Sequence, residues 1–539
     1  MGERRLMRFV LVAALFALAV VPLSAHAEDA TQTVALREDL HVLATAIRTK
    51  HAAPFHAIDA AAFDREVAEL DAQLPALTKE RALLEFQRIV ASVGDGHTSL
   101  RLFAMHGANG SFQTYPVRFY RFTDGWFVRF ADDRYAAIRG GRIVSIAGLN
   151  PDALAQRLTP YVSHDNEMTV RDRVPFLMAS PNVLRALGLA SADGAAPVVV
   201  QTGGNAVTAS LDLSAPAGEL RSMREPSAPV PLWERHPDKA FWYDYDPGTK
   251  LLYVGYNEVT DTPQQTARAF FDDVFAFAQA HPVSRCVIDL RNNGGGNGFL
   301  NKPMIVDLIR SPQLDRDGVL FAVLGRSTFS AAQMAVSDLE RWTNVTFAGE
   351  PGGATPNHYG EGRQTVLPRS GLTLSIATLY WQTSTAFDKR DSVKPVIDAE
   401  LSSADERAGV DPVLNAIARH VPLRAALAED LRLADPDGIA RVVRRYTADP
   451  VYRYANFENA INLLGYEELA ARRTPNALAL FRANAGAYPQ SWNVFDSLGE
   501  ALLAAGLVPD SAAAYRHALR LAPENVRPRI RAIIAKLGG

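Results

Sequence analysis

A serine and a histidine, each set beside glycines, stand out in this 539-residue chain. Ser330 lies in GRSTFSAAQMAVSDLE (325–340), directly before a run, 331–341, with the apolar spacing of a helix. The start of a helix offers unpaired N–H groups and the positive end of a dipole, both suited to a developing oxyanion. Upstream, CVIDLRNNGGGNGF (286–299) places Gly294, Gly295 and Gly296 directly after a short apolar run. Glycine lets a backbone N–H come close to a partner and accepts positive φ without a steric cost. A serine beside such a loop is a candidate nucleophile next to an oxyanion hole; the competing reading makes Ser330 or Ser327 no more than a helix cap. A serine hydroxyl also needs a base to take its proton. His97, in VGDGHTSLRLF (93–103), follows Gly94 and Gly96, which end a helical run, so it sits at an accessible corner. His358, in GEPGGATPNHYGE (349–361), is a second candidate base. An ordinary imidazole in this role predicts a rate that rises with pH through the neutral range.

The elements that must bring these residues together read as an alternation of short buried strands and helices, the pattern of a parallel α/β sheet. Strands are expected at 250–256, 286–290, 319–324, 345–348 and 372–381, and helices at 262–280, 299–309 and 331–341. Residues 350–361 read as a loop. In such sheets chemistry gathers where strands end. Residues 33–93 are helical, and 116–213 hold short alternating strands with a helix at 150–161, a hairpin turn at 202–205 and an insertion at 165–189. Residues 215–247 carry prolines at 216, 226, 229, 231 and 237 and read as a linker. From 404 onward the chain is helical. Leu464-Gly465 recurs as Leu498-Gly499, Phe481 as Tyr515, Ala479 as Ala513 and Pro489 as Pro523, at the ~34-residue period of tetratricopeptide helix pairs.

Taken in order, DLRNNGGG (289–296), TFSAAQ (328–333), GEPGGATPNHYGE (349–361) and LPRSGL (367–372) resemble family 41 of the serine peptidases, which includes the C-terminal processing (tail-specific) and tricorn-core proteases. The resemblance runs, with gaps, over roughly 78–414. It implies an α/β fold with a crotonase-like (ClpP-like) catalytic core and, in many members, a PDZ-like module. It implies Ser330 as nucleophile and backbone oxyanion donors at Ala331 and Gly295, with Gly294, Gly296 and His358 around the substrate. In the tricorn-like branch a histidine in a D-x-H-T motif is the base, which falls here on His97. The lysine base of the tail-specific branch has no counterpart, because the 350–361 loop contains no lysine and Lys302, Lys389 and Lys394 lie elsewhere. An acid about sixty positions after the serine completes the tricorn-like relay. Asp388 is the nearest match, with Asp391 and Glu361 as alternatives. The chain departs from the pattern in having no glutamate at that place and no serine directly before His97.

These readings divide the chain into a signal peptide (1–27), an N-terminal helical cap (28–98), a PDZ-like β-rich module (99–215), a linker (216–248), a serine peptidase core (249–408) and a tetratricopeptide-like helical region (409–539). Arg4, Arg5 and Arg8, the apolar run 9–23 and the small-x-small site Ala25-His26-Ala27 predict a cleaved, bacterial-looking signal and a periplasmic or secreted protein without stable membrane insertion. The net charge of −3 and the lack of a basic block argue against nucleic acid. Cys286 is the single cysteine, which excludes an intramolecular disulfide and a cysteine-based zinc site; no metal and no cofactor are expected. The expected partner is a peptide or protein substrate, and the C-terminal repeats offer a surface for a protein partner or self-association. Hydrolysis of peptide bonds through an acyl-enzyme is the expected activity. The alternatives are an esterase or amidase acting on small substrates, and a peptide-binding scaffold without turnover.

Overall fold

The structure, a computed structural model, describes residues 23–103, 111–214, 218–431, 436–449, 452 and 455–538. Most of the expected signal peptide, residues 1–22, lies outside the described residues. Among the described residues no helix is long and apolar enough to cross a membrane.

Three helices open the chain: α1 (Leu23–Lys50), α2 (Ala60–Gln73) and α3 (Lys79–Ala91). Leu36, Leu40, Leu43 and Ile47, spaced at three to four residues, put one face of α1 into the core. The Thr78 hydroxyl caps α3 by accepting the Arg81 N–H. A short strand, β1 (Ser99–Leu100), follows the corner after α3. The strands β2 (Val117–Phe122), β3 (Gly125–Ala131), β4 (Arg142–Ile146), β5 (Ala196–Thr202) and β6 (Asn205–Leu211) pair antiparallel in sequence order, and β7 (Arg221–Ser222) adds to β3. Between β4 and β5 stand α4 (Pro151–Leu158), α5 (Glu167–Met178) and α6 (Pro181–Ala186). Asn166, the cap of α5, also donates its side-chain amide to the carbonyls of Gly352 and Asp391, tying this inserted segment to the second half of the chain.

The second half is built on a six-stranded sheet of order β15-β12-β11-β10-β9-β8. Its strands are β8 (Phe241–Asp246), β9 (Leu251–Tyr256), β10 (Arg285–Asp289), β11 (Leu320–Leu324), β12 (Thr346–Gly349) and β15 (Ile397–Asp398), all parallel except the antiparallel edge β8. The connections are α7 (Ala267–Ala280), α8 (Lys302–Ile309) and α9 (Ala331–Trp342). All five residues of β11 are buried, as a parallel strand covered on both faces requires. A long hairpin, β13 (Asn357–Val366) and β14 (Thr373–Gln382), follows β12.

Two expectations need correcting. The linker reading stops short of Phe241, because from there to Asp246 the chain pairs antiparallel with β9 and joins the sheet as β8. The loop expected at 350–361 ends at Pro356 and β13 begins at Asn357; Asn357 to Gly360 show no apolar alternation, and their strand character comes from pairing with β14.

The decisive long-range pairing is β1 with β14, Ser99 opposite Ser375 and Leu100 opposite Leu374. It makes a three-stranded sheet, β1-β14-β13, from chain segments far apart in sequence. Leu367, Leu372, Leu374 and Ile376 of the hairpin region share one apolar core with the N-terminal helices and the antiparallel sheet.

After α10 (Ser403–Ala408) and α11 (Pro412–Arg419), which leans on the parallel sheet through Val413 and Ile417, the described residues continue in seven helices. These are α12 (Leu423–Leu431), α13 (Pro436–Thr447), α14 (Phe457–Ala470), α15 (Thr474–Ala487), α16 (Trp492–Ala504), α17 (Val508–Leu521) and α18 (Arg527–Lys536). The recurring Leu-Gly and aromatic positions have a packing cause. A Cβ on Gly465 would lie 2.6 Å from the Phe481 ring, and one on Gly499 would lie 2.9 Å from the Tyr515 ring. Each glycine lets the aromatic of the next helix seat against the backbone. Gly465→Ala is therefore expected to destabilise the tail by ~1–3 kcal/mol through overpacking against the fully buried Phe481. Gly486→Ala, at an exposed helical position with nothing within 4 Å of the new methyl, is expected to stabilise it by up to ~1 kcal/mol. Urea unfolding of the two variants measures both, and opposite signs are the expected result.

Candidate active site

Ser330 ends the loop between β11 and α9, and that loop is stitched to the glycine loop after β10. The Thr328 hydroxyl donates to the Leu290 carbonyl at 2.8 Å and accepts the Gly325 N–H at 3.0 Å. Asn293 accepts the Phe329 N–H on its carbonyl at 3.0 Å, while its side-chain amide donates to the Tyr256 carbonyl at 2.8 Å. Thr328 and Asn293 are fully buried. Ser330 itself has φ 53° and ψ −122°, a left-handed conformation unusual for a residue other than glycine, and its side chain makes no capping bond to α9. The helix-cap reading of Ser330 is thereby set aside. Ser327 is engaged differently, its hydroxyl donating to Asp172 at 2.5 Å.

Gly295, at φ 110°, packs directly against the serine: a Cβ there would lie 2.7 Å from Ser330 Cβ and 3.0 Å from the Ala331 nitrogen. Only glycine permits that approach. The Ala331 N–H, in the first turn of α9, has no intrahelical acceptor. The Gly295 N–H already donates to Asn293 Oδ1 at 2.9 Å, so of the two implied oxyanion donors Ala331 is the one without a partner among the described residues. Gly296, at φ 136°, bridges to Val259, whose carbonyl would lie 2.2 Å from an added Cβ, and Gly294 has open space around it.

The pairing of β1 with β14 carries His97 across 233 positions to Ser330, where Nε2 lies 2.9 Å from Oγ. Its ring stacks on Phe329 at 4.6 Å and on His358 at 5.6 Å. Nδ1 of His97 and Nε2 of His358 are buried without a hydrogen-bond partner among the described residues; the Tyr359 backbone favours a charged His97 without reaching hydrogen-bond geometry. Burial, with the neighbouring His358, pushes His97 down to about 3, and burial pushes His358 down to about 4. The imidazole of His97 is therefore neutral and able to accept a proton throughout the neutral range, so the titration expected from an ordinary imidazole moves to acid pH.

The three acids proposed from sequence do not meet His97. Asp388 bonds to Arg390 and to the Ser384 hydroxyl, and these bonds hold it well below the usual carboxylate range. Glu361 pairs loosely with Arg363 at 3.7 Å, and Asp391 with Lys394 at 3.4 Å. The carboxylate whose charge favours an imidazolium at His97 is Asp95. Its Oδ1 accepts the N–H groups of His97 and Thr98, and its Oδ2 pairs with His51 Nε2 at 3.0 Å. His51 Nδ1 accepts the Ala53 N–H, so Nε2 carries the proton given to Asp95. Burial alone would raise Asp95, and the bonds from His51 and Thr98 outweigh it and keep the carboxyl low. Its signal in sequence was the aspartate two before His97; that His51 lies behind it had no local signal.

Among the described residues no cluster of three metal-ligating side chains occurs. No family model matches the chain, and no curated protein does. Among solved structures, mature CPAF complexed with lactacystin aligns at 13% identity over 70% of this chain and 96% of its own, with a TM-score of 0.50. A point mutant of CPAF aligns at 12% identity over 70% and 95%, also at 0.50. The photosystem II D1 C-terminal processing protease aligns at 15% identity over 71% and 96%, with a TM-score of 0.35. The likeness to CPAF is one of fold.

Proposed function

We propose that this protein is a serine peptidase that cleaves peptide bonds through an acyl-enzyme on Ser330, with His97 as general base. The observation that carries the reading is the 2.9 Å contact of His97 Nε2 with Ser330 Oγ, made by a serine in a left-handed turn at the mouth of a helix. Neutral His97 takes the hydroxyl proton as Oγ attacks the carbonyl carbon. The carbonyl oxygen becomes negative beside the Ala331 N–H, and the Asp95 carboxylate favours the imidazolium that forms. The imidazolium then gives its proton to the leaving amine, and water repeats the sequence on the acyl-enzyme.

In this reading residues 1–27 are a signal that sends the enzyme to the periplasm or outside the cell. The antiparallel sheet of 99–215 serves as a PDZ-like peptide-binding module, and the helices after 409 as tetratricopeptide-like repeats that bind a partner or a distal stretch of substrate. A fluorophosphonate is expected to label Ser330 covalently, and a peptide library is expected to be cleaved with far higher kcat/KM than short-chain esters. Labelling with ester turnover but no peptide cleavage would make the protein an esterase; no labelling would leave a scaffold.

Removing the tail is expected to spare short peptides and to slow long substrates, because only the long ones gain from remote binding. The cut belongs after Val421, since α11 covers the parallel sheet and Arg285 donates to the carbonyls of Ile417 and Ala418. The ratio of kcat/KM on a short peptide to that on a long one, full-length against truncated, checks this. Equal losses in a folded truncated protein would make the tail a support of the core and not a substrate-recruiting element.

A further inference from the structure

Three consecutive N–H groups at the corner that carries His97 are held by two carboxylates. Asp95 Oδ1 takes those of His97 and Thr98, and Asp165 Oδ1 takes that of Gly96 at 2.6 Å. The Gly96 carbonyl is held as well, by Arg173 Nη1 at 3.0 Å, which also donates to the Ser163 carbonyl at 2.7 Å. Asp165 and Arg173 both come from the segment between α4 and α6 that the sequence marks as an insertion.

We propose that Asp165 and Arg173 are positioning residues for His97, clamping the peptide groups on either side of Gly96 so that the imidazole stays within hydrogen-bond reach of Ser330. This rests on the reading of Ser330 as nucleophile and His97 as base. The clamp leaves no slack: a Cβ on Gly96 would lie 2.6 Å from Phe329 Cζ and 3.1 Å from Asp165 Oδ1. Phe329 is itself held between the His97 ring, at 4.6 Å, and the Arg173 guanidinium, at 4.9 Å. Arg173 thus fixes His97 twice, through the backbone and through the ring beneath it. Asp165 Oδ2 is buried with no hydrogen-bond partner among the described residues, a costly arrangement of the kind retained where a group has work beyond stability.

The clamp responds to pH. The charged groups facing Asp165 are Arg173 from α5 and Asp95 from the corner after α3, with the N–H groups of Gly96 and Thr355 approaching as well. Burial, reinforced by the Asp95 charge, pushes the Asp165 carboxyl up to about 7 against the lowering effect of Arg173 and the N–H bonds. His97 and His358 are already neutral there. Below that pH Asp165 is neutral, a weaker acceptor for Gly96, and the Arg173 charge that disfavours an imidazolium on His97 is opposed by Asp172 and Asp95 alone. Above it the carboxylate tightens the Gly96 bond and offsets Arg173. The reactivity of Ser330 should therefore rise with pH in the range where Asp165 loses its proton to water.

The test measures the rate constant for fluorophosphonate labelling of Ser330 between about pH 5 and 9 in the full-length protein and in Asp165→Asn, Asp165→Glu and Arg173→Lys. A second arm follows the Gly96 amide resonance in 15N-glycine-labelled Ser330→Ala, which has no nucleophile. The wild type is expected to show a step near neutral pH that Asp165→Asn abolishes, with a rate at high pH lower by ~10-fold or more. Asp165→Glu is expected to restore a titrating step, and Arg173→Lys to lower the rate at every pH, since it keeps the charge and loses the fork. The Gly96 resonance is expected to move with the same midpoint in Ser330→Ala, so a failure of the nucleophile assignment leaves this arm readable. A Gly96 resonance that does not titrate overturns the proposal, as does a folded Asp165→Asn with an unchanged step and plateau. If Asp165→Asn does not fold, an unchanged rate in Arg173→Lys overturns it equally.

Discussion

Ser330→Ala is expected to lower kcat/KM for peptide cleavage by at least ~10⁴-fold, because removing a nucleophile leaves only binding and oxyanion stabilisation. Stability should fall by only ~1–3 kcal/mol, the cost of leaving buried His97 Nε2 without its bond to the hydroxyl. The hydroxyl makes no capping bond to α9, so alanine forfeits none. The backbone predicts a sharper companion result. A non-glycine residue held at φ 53° and ψ −122° stores strain of ~1–3 kcal/mol. Ser330→Gly should therefore be as inactive as Ser330→Ala and more stable than it, although the added freedom of glycine in the unfolded chain returns ~0.4–1 kcal/mol of that gain. Peptide hydrolysis and urea midpoints of the two variants check both statements. Retained activity in Ser330→Ala together with loss in Ser327→Ala would move the nucleophile to the serine that now bonds Asp172.

His97→Ala is expected to fall nearly as far as Ser330→Ala, and the double variant little further, since members of one proton relay are strongly non-additive. A rate that survives in His97→Ala but is lost in His358→Ala would transfer the base to the ring stacked 5.6 Å away. The pH profile separates His97 from an ordinary imidazole. Its protonation is pushed down to about 3, so its own titration contributes only at acid pH, and the rate rises as pH climbs through that acid range. Any further rise through neutral pH must come from another group. With Asp165 replaced by asparagine the profile from about pH 5 to 9 should be flat. A neutral step persisting in that variant and vanishing with His97 protonation measured near 6.5 by NMR would return the imidazole to ordinary behaviour.

Much of the core was legible from residues alone, because its determinants are local. The all-apolar run of β11, the helical spacing of α9 and the glycines ahead of α8 are patterns within a few residues, and burial turns them into elements without outside help. Ser330 stood out as a serine at a helix start beside three glycines, while its choice as nucleophile and that of Gly295 among the three came from the family resemblance; the close approach of Gly295 to Ser330 is visible only in the structure. Where β13 begins was not legible, because Asn357 to Gly360 hold their strand by pairing with Tyr380 and its neighbours on β14. The acid behind the base was not legible either. Counting from the serine pointed to Asp388, whose carboxylate is held by Arg390, while the charge that favours an imidazolium at His97 sits two residues before it on Asp95. The roles of His51, Asp165 and Arg173 depend on which segments the fold lays beside the 95–98 corner. Sequence spacing specifies neighbours along the chain; the contacts of a buried polar group are set by whichever chain arrives to satisfy it, and here that choice belongs to the packing of α5 and the pairing of β1 with β14.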